Sequence, residues 1–527
     1  MAERGNTTPP STSPQATHQR GRFSTRGVFI MAAIGSAVGL GNIWRFPYVA
    51  YENGGGAFLI PYLVALFCAG IPFLFLDYAM GHRHRGSSPL SWARLRRGTE
   101  AMGWWHVMIC VVIAVYYAAI IAWALRYTVF SVDKAWGDDP EGYFYGEFLQ
   151  VGEPGVDLTV VTGVLVPMLI VWIVVIGVMV AGVEKGIGLT SVIGIPVLVV
   201  AFVILVVQAL RLDGATQGLE AFFTPDWDVL GEPGVWAAAF GQIFFSLSVG
   251  FGIMITYASY VDRDTDMTGS GMVVGLANSS FELLAGIGVF AALGFMAQAQ
   301  GVGVDEVVSG GIGLAFISFP TIISEAPGGA LIGVLFFASL VLAGITSLVS
   351  VIEVVISAVR DKFELGRVLA ATLVTVPLAV ISLVFFATAS GIYVLDIVDH
   401  FINQFGILLA ALVAVVIVGW ILRKLPMLAR HLDHHSSIKL KGWWPILVGV
   451  IVPIALAYML WEAFDTVVET TYGGYPGWMV GVFGWGVAGG AIVIALLLSL
   501  MPWRKETSLD VPSDRLVDDE DVEGAVR

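Results

Sequence analysis

Charged residues are scarce in this chain. Of its 527 residues, 13% are charged and 57% are hydrophobic, whereas soluble globular proteins contain about 25% charged residues. The mean hydropathy is +0.83. Because a soluble fold could not bury so much apolar surface, the composition excludes a soluble domain and predicts a membrane protein.

Basic charge and cysteine are also in short supply. The chain has 27 Lys or Arg against 41 Asp or Glu, a formal net charge of -14, which would repel nucleic acid, so no nucleic-acid partner is expected. Its two cysteines, Cys68 and Cys110, both lie in apolar runs. Buried packing is therefore expected for them rather than a disulfide or a metal site.

Catalytic constellations are missing from the apolar segments. They contain no paired aspartates, no His-Glu-x-x-His motif and no Ser-Lys dyad. Acid–base, nucleophilic or metal-assisted hydrolysis would need one of these sets. The sequence therefore argues against an intramembrane hydrolase and predicts that the protein is not an enzyme.

Long apolar segments make up most of the chain. A helix needs about 20 apolar residues to cross the hydrocarbon core, because backbone polar groups in lipid must be satisfied within the helix. The region 304–327 is Gly-rich and broken by Pro320 and Pro327, which predicts an outer loop with short helices. The sequence predicts an all-α membrane protein of twelve spans, at residues 27–51, 57–80, 102–130, 158–181, 187–210, 234–260, 269–298, 330–359, 366–388, 391–422, 443–462 and 477–501.

The distribution of Lys and Arg predicts the orientation of these spans. Basic residues close to span ends are retained in the cytoplasm, and here they concentrate in alternate loops, such as 83–97, 360–367 and 423–441. Both termini are therefore predicted to be cytoplasmic in a multi-pass protein of the plasma membrane. Residues 1–19 lack the apolar core of a signal peptide and residues 504–527 are strongly acidic, so both are predicted to be disordered tails.

Polar residues interrupt the first span. Gly35, Gly39 and Gly41 precede Asn42 and Arg45 within what should be hydrocarbon. Each glycine weakens a helix by about 1 kcal/mol relative to alanine. An intramembrane charge is costly unless it is paired or hydrated. The pattern predicts a helix break beside a polar cavity.

The sixth span is interrupted in the same way. Gln242, Ser246 and Ser248 are followed by Gly250 and Gly252. Two interrupted helices in corresponding positions predict a transporter of two halves, whose substrate and ions bind near the midplane of the bilayer. Half-helix N-termini favour an anion such as a carboxylate, and freed carbonyls favour a hard monovalent cation such as Na+.

Two alternatives share these polar helices. An ion channel would need a continuous polar lane rather than broken helices around a closed apolar pocket, and saturable substrate-coupled flux separates the two classes. A proton-coupled carrier of the same fold is the second alternative. The hydroxyl pair Thr346 and Ser347 in the eighth span favours sodium over protons.

These residues resemble the signature of the neurotransmitter:sodium symporter family. The resemblance is carried by Gly35 to Pro47, Glu52 to Phe58 and Ile60 to Tyr62, and it continues through Tyr116-Tyr117, Gly241 to Tyr260, Asn278, Ala343 to Ser347 and Asp396 to Asp399. It implies a ten-helix transporter core over residues 20–425, built from two inverted repeats of five helices. The spans within 426–503 are then peripheral. The prokaryotic amino-acid branch is the nearest match.

The resemblance also implies two sodium sites and no organic cofactor. In the first, the cation would be held by Ala37, Asn42, Ser246 and Asn278 together with the carboxylate of the bound substrate. In the second, the ligands would be Gly35, Val38, Ala343, Thr346 and Ser347, which bridge the first and eighth spans and hold the outward-facing state. All are neutral oxygen ligands, as a hard, singly charged cation prefers.

An amino-acid substrate follows from the same resemblance. Monoamine carriers of the family have an Asp where this chain has Gly39, because their substrates lack a carboxylate. The substrate is therefore expected to be a small to medium apolar amino acid. Its expected contacts are Ala37, Leu40, Gly41, Ile113, Tyr117, Phe245, Ser246, Ser248, Phe251, Ser347 and Val351.

The anion requirement and the gates complete these expectations. Chloride-dependent members have a serine where this chain has Glu282, so no chloride requirement is expected. Arg45 and Asp399 should pair above the substrate, with Tyr117 and Phe251 as an aromatic lid. Arg20 with Asp361 should close the cytoplasmic side.

Three residues depart from the family pattern or lack an evident partner. Phe23 replaces an expected Trp at the cytoplasmic side, and Ile121 replaces an expected acidic residue in the third span. Glu353 is a carboxylate in the eighth span for which the sequence indicates no partner.

Overall fold

The computed structural model describes residues 21–308, 310–469, 471–505 and 507–512. Within these ranges the chain forms helices and connecting turns, and the isolated bridges Gly55–Pro225 and Val160–Thr388 are the extended pairing recorded there. The predicted all-α class is confirmed. The predicted tail 1–19 and residues 513–527 of the acidic tail lie outside the described residues.

The helices follow one another with short connections. Some of these connections contain short helical turns, at Pro140–Gly142, Tyr143–Phe148, Asp228–Gly231, Val304–Val307 and Tyr472–Gly474. The main helices are α1 (Arg26–Ala37), α2 (Leu40–Glu52), α3 (Gly56–His84), α4 (Ser88–Leu95), α5 (Arg97–Asp133), α6 (Thr162–Gly182), α7 (Leu189–Ala209), α8 (Ala215–Phe223), α9 (Pro233–Ser246), α10 (Ile253–Ala258), α11 (Met267–Gln300), α12 (Gly311–Glu325), α13 (Gly329–Phe363), α14 (Arg367–Phe386), α15 (Gly391–Ile421), α16 (Leu425–His435), α17 (443–469) and α18 (Gly477–Ser499).

Nine helical segments of the described chain are long and apolar enough to cross a membrane, and the bent pair α1 and α2 adds a tenth. One of the nine is a 48-residue segment that contains both α6 and α7, about 72 Å at 1.5 Å per residue, whereas the hydrocarbon core is about 30 Å thick. Gly182 between α6 and α7 has a φ of 96°, so this segment divides into two spans. Taking α9 and α10 together as one broken span, the architecture is consistent with the twelve predicted spans.

The predicted break in the first span is confirmed. α1 ends at Ala37 and α2 begins at Leu40, with a bend of 54° between them. The Oδ1 atom of Asn42 accepts a hydrogen bond from the Gly39 N–H at 2.8 Å, which caps the new helix. The break therefore frees backbone groups at the centre of the molecule.

The second break lies between α9 and α10. Residues 247–252 are not helical, and Ser248, Gly250 and Gly252 have φ values of 53°, 84° and 91°. A Cβ atom on Gly252 would lie 3.1 Å from the Cβ atoms of Ser88 and His106. Only glycine combines this conformation with so close an approach.

The segment after α18 folds back over the ends of α5 and α13. The Lys362 Nζ donates to Glu100 Oε1 and to the Met501 carbonyl, both at 2.6 Å, and Trp503 Nε1 donates to Glu100 Oε2 at 2.7 Å. The side chains of Lys362 and Glu100 are 1% and 9% exposed. Arg94 adds a bond to the Ser508 carbonyl at 2.8 Å, so Met501, Trp503 and Ser508 contact the folded body.

Asp266 caps α11 and connects three segments of the chain. Its carboxylate accepts hydrogen bonds from the N–H groups of Gly269 at 2.9 Å and Ser437 at 3.0 Å, and the Arg26 guanidinium lies 3.3 Å away. Burial acts to raise the pKa of Asp266, but the hydrogen bonds from Ser437 and Gly269 outweigh it and hold the pKa below its usual value. Its stabilising contribution is complete above an unfolded-state pKa of about 3.9 and is lost as the pH falls through the lower folded-state pKa.

We expect Asp266→Ala to lower the free energy of unfolding by about 1 kcal/mol at neutral pH, since an N-cap is lost. Thermal unfolding of the purified protein in detergent measures this. The matched control is Asp264→Ala, whose carboxylate is 66% exposed and 3.6 Å from His435; a change of under about 0.5 kcal/mol is expected there. Equal effects of the two substitutions would contradict the capping role.

Candidate functional site

One cavity lies between the two breaks, with walls from α5, α13 and α15. The structure brings all eleven predicted substrate-contacting residues to its lining: Ala37, Leu40, Gly41, Ile113, Tyr117, Phe245, Ser246, Ser248, Phe251, Ser347 and Val351. They come from four separate parts of the chain. The break residues supply backbone groups, and the intact helices supply side chains.

Five lining residues had no predicted role as a substrate contact, an ion ligand or a gate. These are Ser36, Gly39, Tyr116, Asn403 and Ile407. Asn403 and Ile407 follow Asp399, also in the lining, at intervals of four residues. Because residues four apart share one face of a helix, this spacing is the signal that could have identified them.

Hydroxyl groups form hydrogen bonds between the elements that line the cavity. Ser248 Oγ and Ser347 Oγ donate to the Ser36 carbonyl at 3.0 and 3.1 Å. The Leu40 N–H donates to Tyr117 Oη at 3.3 Å. The N-terminal end of α2 therefore lies at the cavity, beside the phenol of Tyr117.

The side chains predicted for the first sodium site form one hydrogen-bonded cluster. Asn42 Nδ2 donates to Asn278 Oδ1 at 2.8 Å, and Asn278 Nδ2 donates to Ser246 Oγ at 3.0 Å. Ala37 lines the adjacent cavity. Asn42, Ser246 and Asn278 are at most 2% exposed, so the cluster offers amide and hydroxyl oxygens shielded from water.

Glu282 lies one helical turn beyond Asn278 on α11. Its Oε1 accepts from Gln242 Nε2 at 2.6 Å, and its Oε2 accepts from the Tyr62 hydroxyl. The side chain is fully buried. A carboxylate thus stands directly behind the first cluster, bound by two neutral donors.

The residues predicted for the second sodium site meet where α1 crosses α13. Thr346 Oγ1 lies 3.0 Å from the Ala343 carbonyl, and Ser347 Oγ lies 3.5 Å from the Gly35 carbonyl. Val38 occupies the break itself, with a ψ of 95° that turns the chain out of the helix. These oxygens come from the two elements that the site was predicted to bridge.

The predicted outer gate is not formed as an ion pair. No contact within 4.0 Å joins Arg45 and Asp399 in the described part of the chain; the Arg45 guanidinium instead lies over the Phe245 ring, 4.6 Å from its centroid. Asp399 Oδ1 accepts from Asn403 Nδ2 at 2.9 Å. In this conformation Arg45 is held by a cation–π contact.

The cytoplasmic gate was predicted between Arg20 and Asp361. Arg20 lies outside the described residues, and Asp361 Oδ2 accepts from the Ser87 N–H at 2.8 Å. Nearby, Arg22 forms an ion pair with Asp262. Phe23, which replaces the expected Trp, packs edge-on against Tyr257 with ring centroids 5.4 Å apart.

Glu353 has partners that the sequence did not indicate. Its two carboxylate oxygens accept from Arg367 Nη1 at 2.7 and 2.6 Å, and Oε1 also accepts from the Tyr260 hydroxyl at 2.7 Å. The other departure, Ile121, packs where a Cβ atom on Gly344 would lie 2.6 Å from it. Glu353 is therefore held by an ion pair and a hydrogen bond, whereas Ile121 packs closely against Gly344.

No group of three or more His, Cys, Asp or Glu that could hold a metal ion occurs among the described residues. Cys68 and Cys110 are both free thiols; Cys110 is buried and Cys68 is partly exposed. The two clusters predicted as cation sites consist of neutral oxygens, which suit a monovalent cation.

Known proteins show extensive similarity to this chain. The profile of the sodium:neurotransmitter symporter family matches residues 20–141 and 136–506. An uncharacterized sodium-dependent transporter of Methanocaldococcus jannaschii is 42% identical over 485 residues, which cover 92% of this chain and 98% of that protein. The bovine sodium-dependent dopamine transporter is 30% identical over 92% of this chain and 75% of its own length. The human sodium- and chloride-dependent neutral and basic amino acid transporter B(0+) is 29% identical over 88% and 83%.

Proposed function

Since this chain belongs to the sodium:neurotransmitter symporter family, we propose that it takes up a small to medium apolar amino acid together with Na+, by alternating access and without chloride. It is a sodium-dependent transporter, a multi-pass membrane protein and not an enzyme. What we propose beyond this is the substrate, the ion sites, the anion requirement and a location in the plasma membrane with both termini in the cytoplasm.

The observation that carries the substrate class is the crowding around Gly39. A Cβ atom there would lie 3.0 Å from Ser347 Oγ and 3.2 Å from Tyr117 Oη. An aspartate in place of Gly39, which the resemblance associates with monoamine carriers, would force both hydroxyl groups to shift. A substrate that brings its own carboxylate to this point is therefore favoured.

Recognition of that carboxylate falls to the N-terminal end of α2. Leu40, Gly41 and Tyr117 line the cavity at this helix end, with the Leu40 N–H 3.3 Å from Tyr117 Oη, and a helix N-terminus favours negative charge. The carboxylate would also complete the coordination of Na+ at Asn42 and Asn278. Substrate and cation would then bind cooperatively, because each neutralises the other within a buried site.

Discrimination among amino acids is assigned to the apolar wall of the cavity. Ile113, Phe251 and Val351 are 7%, 5% and 5% exposed and would contact the substrate side chain. Removing or adding one methylene in such a pocket changes binding by only about 1–3 kcal/mol. The wall therefore selects apolar side chains as a class.

The second cation would control the conformational change. Its proposed ligands on α1 and α13 belong to different halves of the transporter, so a bound Na+ would hold the two together. Releasing it removes the bridge and lets α1 move relative to α13. This is alternating access around a fixed central site.

Uptake into proteoliposomes tests the proposal. We expect one or more apolar amino acids from a radiolabelled panel to accumulate under an inward Na+ gradient and not when K+ replaces Na+. Accumulation of a monoamine instead would reject the substrate class. Equal accumulation without Na+ but with a proton gradient would favour the proton-coupled carrier.

The Glu282→Ser variant tests the anion requirement. Wild-type uptake is expected to be equal in chloride and gluconate, because Glu282 supplies the negative charge beside the first cation cluster. In the serine variant we expect uptake to be lost in gluconate and recovered in chloride. Initial uptake rates in the two salts give the comparison.

Glu282→Gln is the matched control for that experiment. Glutamine keeps the size and one of the two acceptor oxygens that face Gln242 and Tyr62, but it removes the charge and leaves no space for an anion. Loss of uptake in both salts is expected. Full activity of the glutamine variant in gluconate would show that the charge is not needed.

A further inference from the structure

A basic surface lies where the chain passes from α15 to α17. Between Trp420 and Ile446 there are five Lys or Arg residues and one carboxylate, that of Asp433, in a chain whose net charge is -14. All five basic residues are exposed. We call this set the basic corner: Arg423, Lys424, Arg430, Lys439 and Lys441.

The fold brings the two ends of this segment together. Trp420 Nε1 donates to the Gly449 carbonyl at 2.7 Å, which ties the end of α15 to the first turns of α17. A Cβ atom on Gly419 or Gly449 would lie 3.2 or 3.4 Å from Leu425 Cδ1, so Leu425 fills the angle between the helices. Two of the basic residues follow α15 and two precede α17, which places four at one end of one helix pair.

Exposed apolar residues indicate the position of the basic corner relative to the membrane. Trp420 is 57% exposed, Ile421 63%, Trp443 41% and Ile446 60%, which is expected for side chains that face lipid. Tryptophan concentrates at the boundary between hydrocarbon and head groups. The basic side chains, only a few residues beyond this belt, therefore stand at head-group height.

The described part of the chain does not neutralise these charges. Both oxygens of the Asp433 carboxylate accept backbone hydrogen bonds, from Leu440 at 2.5 Å and Lys441 at 3.3 Å. Lys439 Nζ donates to a backbone carbonyl, that of Asp433. Among the described residues, no member of the basic corner forms an ion pair with Asp or Glu.

The helix that carries Arg430 is firmly held. Leu425, Leu428 and Leu432 are buried on one face of α16, and His431 Nε2 lies 3.0 Å from His82 Nδ1 of α3. With this face packed inward, the opposite face turns Arg430 outward. The basic corner is thus a fixed arrangement of charges and not a loose tail.

We propose that the basic corner binds the phosphate head group of an anionic membrane phospholipid, with its acyl chains along the exposed apolar sides of α15 and α17. Lys and Arg side chains at head-group height attract anionic lipid, each by a factor of about five, and guanidinium groups pair well with phosphate. The whole chain has a formal net charge of -14, which disfavours the same lipid away from basic positions. The attraction is therefore local, and it depends only on the membrane location of the protein.

The test measures the dissociation constants of phosphatidylglycerol and phosphatidylcholine with identical acyl chains, by native mass spectrometry of the delipidated protein in detergent. The wild type is expected to prefer phosphatidylglycerol by about tenfold or more. Equal affinity for the two lipids in the wild type would overturn the proposal without any variant.

Two variants locate the site. Arg423→Gln/Lys424→Gln/Lys439→Gln/Lys441→Gln is expected to bind both lipids about equally. The charge-conserving exchange Arg423→Lys/Lys424→Arg/Lys439→Arg/Lys441→Arg is expected to keep the preference, which separates loss of charge from loss of fold. A preference that persists in the glutamine variant would overturn the proposal.

A matched control separates a site from general attraction. Arg96, Arg97, Arg504 and Lys505 are also exposed, and Arg96→Gln/Arg97→Gln/Arg504→Gln/Lys505→Gln removes the same charge elsewhere. This variant is expected to keep the preference for phosphatidylglycerol. An equal loss in the control and in the glutamine variant would show that net charge, and not the basic corner, attracts the lipid.

Discussion

Replacing Asn278 by alanine is expected to raise the Na+ concentration for half-maximal uptake by about 10- to 100-fold. Asn278 Oδ1 is the proposed ligand at the centre of the first cluster, where it contacts Asn42 Nδ2 at 2.8 Å, and Asn278 Nδ2 holds Ser246 at 3.0 Å. A polar contact to a charged group is worth about 1.5–3 kcal/mol, and each 1.4 kcal/mol is a tenfold change in affinity. The substitution removes one ligand and loosens two others.

Initial rates of amino-acid uptake at a series of Na+ concentrations give this value. If substrate and Na+ are coupled as proposed, the apparent affinity for the amino acid also weakens at low Na+ and recovers when Na+ is raised. This reciprocal effect is required of any two ligands that bind cooperatively. If the substitution only disturbed the packing of the cavity, amino-acid uptake would be weakened and raising Na+ would not restore it.

Asn403→Ala is the control for this experiment. Asn403 is a second amide in the cavity lining, and its Nδ2 bonds to Asp399. It is not among the proposed cation ligands, so its loss is expected to change amino-acid affinity while leaving the Na+ dependence close to that of the wild type. If the two alanine variants showed the same Na+ dependence, the first sodium site would be misplaced.

Local sequence patterns predicted the centre of the molecule well. The glycines and polar residues that break the first and sixth spans act within a few residues of themselves, so the breaks at Val38 and at 247–252 are readable from composition. The cavity follows because broken helices must face each other to satisfy their free backbone groups. Its lining was named residue by residue only through the family resemblance.

Long-range pairs were not predictable in the same way. Lys362 and Glu100 are 262 residues apart, and nothing in either sequence neighbourhood indicates the other. Arg45 was expected to pair with Asp399, but the Phe245 ring lies closer and a cation–π contact takes its place. Such choices depend on side-chain packing between helices, which hydropathy and spacing do not encode.

Glu353→Gln is expected to destabilise the protein by about 3–5 kcal/mol, because it leaves the Arg367 guanidinium without its counter-charge inside a buried site. Glu353 is fully buried and the Arg367 side chain is 16% exposed, with atoms 2.6 Å apart. Arg367→Met leaves the opposite charge unpaired and is expected to cost about as much. The measurement is thermal inactivation of the purified protein in detergent.

The double variant Glu353→Leu/Arg367→Met decides whether the pair itself stabilises the fold. Removing both charges eliminates the unpaired group, so the double variant is expected to be more stable than either single variant and within a few kcal/mol of the wild type. If the destabilisation of the double variant equalled the sum of the two single destabilisations, the two residues would act independently, which would contradict their contact at 2.6 Å.

The same contacts connect the stability of this pair to transport. The Tyr260 hydroxyl bonds to Glu353 at 2.7 Å, and Arg367 Nε donates to the Met179 carbonyl at the end of α6. The pair therefore joins the segment after α10 to α13, α14 and α6.

Tyr260→Phe removes one of these links and keeps the ion pair, so it is expected to cost only about 1–3 kcal/mol. If the closed cytoplasmic side depends on the pair, Tyr260→Phe changes the uptake rate while leaving the Na+ dependence unaltered. An unchanged rate would restrict the pair to a structural role.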